Sequence, residues 1–355
     1  MSSRTSIEPT ATIPVRDAHV MDAARLASWL HERLPGAGAL TIRQFSGGQS
    51  NPTYLLSTDS GRYVLRRKPP GVLLPSAHAV DREFRILTAL AGSAVPVPRA
   101  ICYCDDVSVA GTPFYLMEYV EGRIFWNPAL PGLTPPERAA IYEEMNRVIA
   151  AIHAIDPDAA GLADFGRREN YVARQIERWS KQYRASELEY IDSMEQLIDW
   201  LPRHMPPEEP ARITHGDFRI DNLIFDRHEL RILAVIDWEL ATLGNAFSDF
   251  AYNCMPYRMP EAIRKGLAGL DLAQLGIPSE QAYVGKYLAR TGRSAESTST
   301  FNFYIAFNLF RLASILQGVA ARAKLGNASS EHATEAGSLT RPIADLGWAQ
   351  ARGVH

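Results

Sequence analysis

Residues 214–225 read Thr-His-Gly-Asp-Phe-Arg-Ile-Asp-Asn-Leu-Ile-Phe, and residues 235–239 read Val-Ile-Asp-Trp-Glu. In these two runs the types and spacing of Asp217, Asn222 and Asp237 could do chemistry. Leu223-Ile224-Phe225 and Leu233-Ala234-Val235-Ile236 predict two short apolar strands joined through a turn at Asp226-Arg227-His228. A hairpin of that length returns Asp237 to the side of Asn222. One carboxylate and one amide oxygen then converge. That donor set suits Mg²⁺, a hard cation often held by few protein groups plus phosphates. Asp217 lies on the loop ahead of the pair, where it can face an acceptor hydroxyl. The alternative without chemistry is a hairpin turn capped by His, Asp and Asn side chains. The occurrence of both runs together and in order argues against it.

The elements that must position these residues fall into two textures. Residues 1–18 are polar, with Pro9 and Pro14, and predict a flexible arm. Residues 19–34 predict an amphipathic helix. Leu40 to Phe45, Thr53 to Ser57 and Arg62 to Arg67 read as strands in successive antiparallel hairpins, broken at Ser46–Asn51 and at Asp59-Ser60-Gly61. A helix over 78–91, with Phe84, Leu87 and Leu90 at helical spacing, and strands near 99–104 and 113–120 complete a β-rich lobe over 19–117. A connector at 118–122 leads to a larger, mostly helical lobe over 123–355. There Thr134-Pro135-Pro136-Glu137 is a capping box. Ile141, Met145, Val148, Ile149 and Ile152 then form one apolar stripe. A short β region interrupts at 212–240, and helices return from about 260.

Composition narrows the partners. Lys plus Arg number 37 against 40 Asp plus Glu, so no basic excess marks a nucleic-acid binder. The three cysteines make neither a CxxC pair nor an even set, which suits a reducing cytoplasm. The N-terminal stretch lacks a signal-peptide apolar core. The apolar stretch 301–323 carries Asn302, Asn308, Arg311 and Gln317 and predicts a buried helix rather than a membrane span. No partner beyond a small molecule is implied. No P-loop, no G-x-G-x-x-G after a strand, no G-x-S-x-G and no H-E-x-x-H occurs.

The order Asp-x-x-x-x-Asn followed by Asp is that of the kinase catalytic loop and metal-binding segment. In its His-Gly-Asp form, with Ile-Asp-Trp downstream, it resembles the aminoglycoside phosphotransferase family, which includes choline-kinase-like enzymes, over roughly residues 40–255. The resemblance implies an α+β, two-lobed protein-kinase-like fold, with ATP and Mg²⁺ as cofactors. It implies Asp217 as catalytic base and Asn222 and Asp237 as metal ligands. Ser46, Gly47 and Gly48 would form the loop over the phosphates, with the glycines letting backbone amides approach. On the third strand, alternation puts Val64 and Arg66 on one face. Arg66, in place of the usual kinase Lys, would reach the phosphates, with Lys68 as the alternative anchor and Glu83 as ion-pair partner. Main-chain groups near Glu118 and Val120 would bond the adenine edge, with Met117 as a wall. Arg219 would point at the transferred phosphoryl group or stand as a surface cation. His215 and Asp249 would brace the loop and lobe, and His153 reads as a satisfied core histidine.

A more local resemblance concerns Phe45–Asn51, Val64–Gly71, Arg178–Tyr183 and Phe307–Arg311. These runs are similar to the kinase-like domains fused to some acyl-CoA dehydrogenases. That implies transfer of the γ-phosphate of ATP to a hydroxyl of a hydroxyacyl-CoA or related hydroxy acid, with Trp179, Gln182, Tyr183 and Arg311 as candidates for the acceptor cleft. The alternatives are an aminoglycoside or amino-alcohol kinase and a nucleotide-binding regulatory module without turnover. The absence of an Ala-Pro-Glu segment after Asp237 argues against a protein kinase.

Overall fold

Alternating burial along the first strands builds a sheet. The computed structural model of the chain describes residues 11–46, 51–70, 79–294, 298–324 and 330–353. Six strands, β1 (Thr12–Ile13), β2 (Thr41–Phe45), β3 (Thr53–Thr58), β4 (Gly61–Arg67), β5 (Ala100–Cys104) and β6 (Phe114–Glu118), form an antiparallel sheet in the order β1-β2-β3-β4-β6-β5. Tyr54 and Leu56 on β3 are buried while their neighbours are partly exposed, the period of two expected of a half-covered sheet. They pack with Leu26 and Leu30 of α1 (Ala23–His31), Leu65 of β4 and Phe114 and Leu116 of β6. Asp22 caps α1 by accepting hydrogen bonds from the Ala24 and Arg25 amides at 3.1 and 3.0 Å. Helix α2 (Val80–Leu90) buries Glu83 beside Ile86, Leu87 and Leu90, and α3 (Val107–Ala110) is a single turn.

The expected flexible arm is corrected over its described part. Thr12 and Ile13 pair with Phe45 and Gln44. The Arg43 guanidinium donates to the Thr12 hydroxyl at 2.8 Å and to its carbonyl at 2.7 Å. A β-branched pair set beside an otherwise open strand edge gains ladder bonds there, which polarity and prolines alone do not reveal. Residues 1–10 lie outside the described residues.

The chain divides into two compact units, Met1–Ile124 with Asn222–Ala241, and Phe125–Asp221 with Thr242–His355. In the second unit, the Thr134 amide donates to the Glu137 carboxylate at 2.7 Å at the start of α4 (Pro135–Ala154), as the capping box predicts. The stripe Ile141, Met145, Val148, Ile149 and Ile152 is buried. Helices α5 (Tyr171–Ala185) and α6 (Asp192–Arg203) follow, then β7 (Arg212–Thr214). Strands β8 (Leu223–Phe225) and β9 (Ile232–Val235) form the expected hairpin in the first unit. Strand β10 (Thr242–Gly244) pairs antiparallel with β7. Helix α7 (Ala246–Cys254) begins well before the expected return of helices, because Asn245 caps it by accepting from the Ser248 amide at 2.7 Å. Helices α8 (Leu272–Leu275), α9 (Glu280–Thr291), α10 (Thr298–Lys324) and α11 (Ser330–Ala351) complete the second unit.

Among the described residues, α10 alone is long and apolar enough to cross a membrane, yet 83% of its most apolar window is buried inside the protein. Its polar residues are bonded there. Asn308 donates to the Ser248 carbonyl at 2.9 Å and Gln317 to the Ser186 carbonyl at 3.1 Å. A core helix of the second unit accounts for that pattern, as the sequence predicts.

Candidate active site

In the first unit, strand alternation decides which cation meets the acidic groups. Arg66 on β4 is paired in register with Tyr115 of β6 and Thr53 of β3. Its side chain is 11% exposed and its Nε lies 2.8 Å from Glu83 Oε2, with Glu83 1% exposed. Its Nη2 lies 2.6 Å from Asp237 Oδ1 and 3.6 Å from Glu239 Oε2. Glu83 also accepts from the Asn51 amide at 2.7 Å and the Tyr115 hydroxyl at 3.0 Å. Burial pushes the Glu83 carboxyl above the usual carboxylate range, while the Arg66 cation and these two donors pull it back. The predicted Arg66–Glu83 partnership is therefore present. Arg67, on the opposite face, is buried by donating to the Ala110 carbonyl at 2.6 Å and the His19 carbonyl at 3.1 Å. Lys68 joins the fold through its main chain, donating to the Pro113 carbonyl at 2.9 Å and accepting from the Thr112 hydroxyl at 2.5 Å.

This arrangement makes a stability prediction. Arg66→Ala leaves the Glu83 carboxylate buried without its cation and should cost about 3–5 kcal/mol of stability. Lys68→Ala should stay within about 0.5 kcal/mol. Chemical denaturation of both variants checks this, and nucleotide titration on the folded Arg66→Lys and Lys68→Ala proteins should show the greater loss at position 66. Greater losses at Lys68 in both measurements would reverse the register.

The hairpin β8–β9 brings Asn222 and Asp237 to one end. Leu223 pairs with Val235, and the Ile236 amide donates to the Asn222 carbonyl at 3.0 Å. Asp237 sits in the left-handed region, at φ 67°, a conformation that Asp tolerates better than most residues and that aims a side chain out of a strand. The Asn222 amide oxygen and the Asp237 carboxylate are hard oxygen donors of the kind Mg²⁺ takes, and Asp237 Oδ1 meets the Arg66 guanidinium here. No group of three or more His, Cys, Asp and Glu stands ready to hold a metal among the described residues. A cation bound here would therefore draw its remaining ligands from phosphate and water.

Of the other predicted nucleotide residues, Ser46 directly follows β2, its amide donating to the Ala11 carbonyl at 3.0 Å. Gly47 and Gly48 lie outside the described residues. The Glu118 amide is taken by the Arg99 carbonyl at 3.0 Å, and the Glu118 carboxylate accepts from the Arg99 amide at 2.9 Å. That leaves the amide of Glu118 unavailable to an adenine edge, because β6 has already paired it. Val120, just beyond β6, shows no main-chain partner among the described residues.

In the second unit, a buried carboxylate organises the loop that carries Asp217. Asp249 of α7 accepts from the His215 amide through Oδ2 and from the Gly216 amide through Oδ1, both at 2.8 Å. Gly216 has φ +82°, the conformation glycine supplies at least cost and the one that turns successive amides toward one acceptor. His153 Nε2 lies 3.1 Å from Asp249 Oδ2, and its Nδ1 lies 2.7 Å from the Tyr287 hydroxyl. Burial alone would raise the Asp249 carboxyl; the His153 ring and the His215 amide hold it below its ordinary range. Asp249 thus braces the loop and His153 is a satisfied core histidine, as predicted.

Asp217 Oδ1 accepts from the Tyr252 hydroxyl at 2.5 Å and lies 3.0 Å from Arg219 Nε. Burial, and then the negative charge of Asp217, push the Tyr252 hydroxyl up to about 12, so it stays a donor. Arg219 Nη2 lies 3.2 Å from Asp221 Oδ2. Burial pushes the Asp221 carboxyl up, against the pull of Arg219. Neither Tyr252 nor Asp221 stands out in the sequence. The available signal for Tyr252 is its place three residues after Asp249, on the same helix face.

Arg219, Asp221 and Tyr252 line a cavity of about 240 Å³ wholly within the second unit, together with Trp126, Met255, Tyr257, Arg264 and Lys265 among others. The predicted acceptor residues on α5 and α10 are not part of its wall. Tyr183 and Trp179 are buried in the core at 0% and 7% exposure. Gln182 lies on α5 beyond the lining. Arg311 donates to the Gly216 carbonyl at 2.8 Å and so braces the loop from behind. Their helical spacing fits core packing equally well, and core packing prevails.

The sequence profile of the phosphotransferase enzyme family matches residues 41–283. Acyl-CoA dehydrogenase family member 10 of Mus musculus is 46% identical over 341 residues, covering 95% of this chain and 32% of that protein. Acyl-CoA dehydrogenase family member 11 of Rattus norvegicus is 40% identical, covering 95% and 44%. The chain thus spans a third to under half of the length of these relatives. A solved structure from Ralstonia eutropha JMP134, provisionally described as an aminoglycoside phosphotransferase, is 48% identical with a TM-score of 0.86, covering 95% of this chain and 100% of that one. The fold is accordingly the α+β, protein-kinase-like one that the sequence resemblance implies.

Proposed function

Because the chain belongs to the phosphotransferase enzyme family, we propose that it is an ATP-dependent small-molecule kinase acting on a hydroxyl of an anionic, partly apolar acceptor, a hydroxyacyl-CoA or related hydroxy acid. The cavity beside Asp217 carries the acceptor assignment. Three cationic residues, Arg219, Arg264 and Lys265, line it against one carboxylate, Asp221, over a floor that includes Met145, Met255, Met259 and Leu267. An aminoglycoside is a polycation and would meet like charge there, which disfavours it. The names of the acyl-CoA dehydrogenase relatives agree with an acyl acceptor.

Roles follow from residue chemistry. The acceptor oxygen bonds to the γ-phosphorus as the bridging oxygen departs with its electron pair on ADP. The hydroxyl proton goes to the Asp217 carboxylate. Tyr252 and Arg219 hold Oδ1 of that carboxylate in place, which fixes the direction from which the acceptor approaches. Arg66 supplies a permanent cation for the phosphates and is oriented by Glu83. Asn222 and Asp237 would hold Mg²⁺, which when bound would neutralise phosphate charge and orient the nucleotide. Val120 offers main-chain groups to the base.

A second reading, an aminoglycoside or amino-alcohol kinase, is favoured by the description of the 48%-identical solved structure. Acceptor-stimulated ADP release at matched concentrations separates the two. A hydroxyacyl-CoA should exceed kanamycin in kcat/KM by at least about tenfold, or about 1.4 kcal/mol. Stronger stimulation by kanamycin would transfer the assignment to the second reading.

A further inference from the structure

One stretch of the cavity wall is held in a conformation that its residue types resist. Arg264 and Lys265 have φ 52° and 57°, two consecutive left-handed residues with side chains that gain nothing locally from it. The surrounding loop enforces the conformation. The Leu267 amide donates to the Pro256 carbonyl at 2.7 Å, the Ala268 amide to the Met259 carbonyl at 3.0 Å, and the Gly266 amide to the Pro260 carbonyl at 3.2 Å and the Ile263 carbonyl at 3.1 Å. Position 266 admits no side chain, since a Cβ there would lie 1.8 Å from the Met259 carbonyl oxygen. Leu267 and Met259 are buried and anchor both ends.

The result is a loop that presents two adjacent cations at the edge of the Asp217-side cavity. Both residues are exposed and both line the cavity. Neither head group has an ion-pair or hydrogen-bond partner among the described residues. Arg219, the third cation of the wall, is by contrast occupied by Asp217 and Asp221. Two positive charges without a direct salt bridge, of which Arg264 acts only at longer range on Asp221 and Tyr252, stand beside an apolar floor and form a place for a negative group attached to an apolar chain.

We infer that Arg264 and Lys265 are the specificity-determining residues of acceptor binding, taking the acceptor's own anionic group while its hydroxyl is presented to Asp217. The inference rests on the kinase reading above and adds the residues that select the acceptor. A carboxylate of a free hydroxy acid and a phosphate of a CoA thioester present the same chemistry to this pair. Acting on the acceptor's anionic group, the two cations should affect binding and discrimination between acceptors.

The test uses the double variant Arg264→Asn/Lys265→Asn, because Asn tolerates the left-handed backbone while removing both charges. Hydroxyhexanoates with the hydroxyl at successive positions, their methyl esters and their CoA thioesters are compared as acceptors. The readout is the preference for each anionic form over the neutral ester. It should be roughly tenfold in KM for the parent protein and fall toward unity in the variant, the scale set by two partly exposed charge pairs. A drop confined to the free acids identifies the carboxylate as the bound group; a drop confined to the thioesters identifies the CoA phosphates. Equal preferences in parent and variant overturn the inference. Calorimetric titration with hexanoate and hexanoyl-CoA separates this result from failure of the kinase reading, since it needs no turnover. Weaker binding of either anion by the variant supports the pair even where no hydroxyhexanoate is phosphorylated, and unchanged binding of both overturns it. Charge reversal with Arg264→Asp/Lys265→Asp should shift preference toward a cationic amino alcohol.

Discussion

Asp217→Asn should lower phosphate transfer by roughly 10²–10⁴-fold, the usual contribution of a positioned general base, equivalent to about 2.7–5.4 kcal/mol of barrier. The substitution keeps the shape that Tyr252 and Arg219 grip and removes the charge and most of the basicity. Tyr252 can still donate to the amide oxygen, so the loop keeps its geometry, and the clamp of Asp249 on the His215 and Gly216 amides is untouched. Nucleotide binding should persist, because Arg66, Asn222 and Asp237 are unchanged. The measurement is single-turnover transfer beside nucleotide titration on the same sample. Near-normal transfer removes Asp217 from the role of base. Loss of nucleotide binding instead assigns the loop a purely structural part.

The opposite pattern is expected of Asp237→Ala. Removing the carboxylate of the proposed metal pair should reduce Mg²⁺-dependent ATP affinity by more than the roughly 10–100-fold that loss of an outer-shell partner costs. The fold should survive. Arg66 keeps Glu83 at 2.8 Å, so its charge is not left uncompensated. Alanine also removes a carboxylate from a cluster that already includes Glu83 and Glu239. Titration with and without Mg²⁺, together with a melting curve, decides the matter. An unchanged metal-dependent increment in affinity would rule out Asp237 as a principal ligand. Together the two variants form a double dissociation, one losing the chemical step and the other the metal-dependent binding.

Much of this arrangement is legible in the chain because its causes are local. The period-two alternation of Tyr63-Val64-Leu65-Arg66 is enough to separate Arg66 from Arg67, since side chains on a strand must leave on opposite faces. The capping box at Thr134 and Glu137 is readable because both partners lie within one helical turn. The β8–β9 hairpin, and with it the neighbourhood of Asn222 and Asp237, follows from two apolar runs and a polar turn. The acceptor residues implied by the local resemblance, Trp179, Gln182 and Tyr183 on α5 and Arg311 on α10, were not legible in the same way. A spacing of three and four marks a buried face and does not say whether core or cavity covers it.

By itself, the sequence determined the order of chemistry-bearing groups, Asp217, Asn222 and Asp237, the strand that carries Arg66, and the family to which the loop belongs. These are matters of residue type and short spacing, fixed by backbone sterics and hydrogen-bonding periodicity. Tertiary structure alone decided the rest. It seated Thr12 and Ile13 on the sheet edge, grouped residues 222–241 with the N-terminal unit, and set Asp249 between His153 and the Asp217 loop. It also placed the Tyr252 hydroxyl on Asp217, and turned Arg264 and Lys265 left-handed at the cavity edge. The physical reason is the range of the interaction. A buried carboxylate takes whichever donors packing brings to it, and a strained turn persists only where distant contacts outweigh its cost. Neither leaves a periodic trace along the chain.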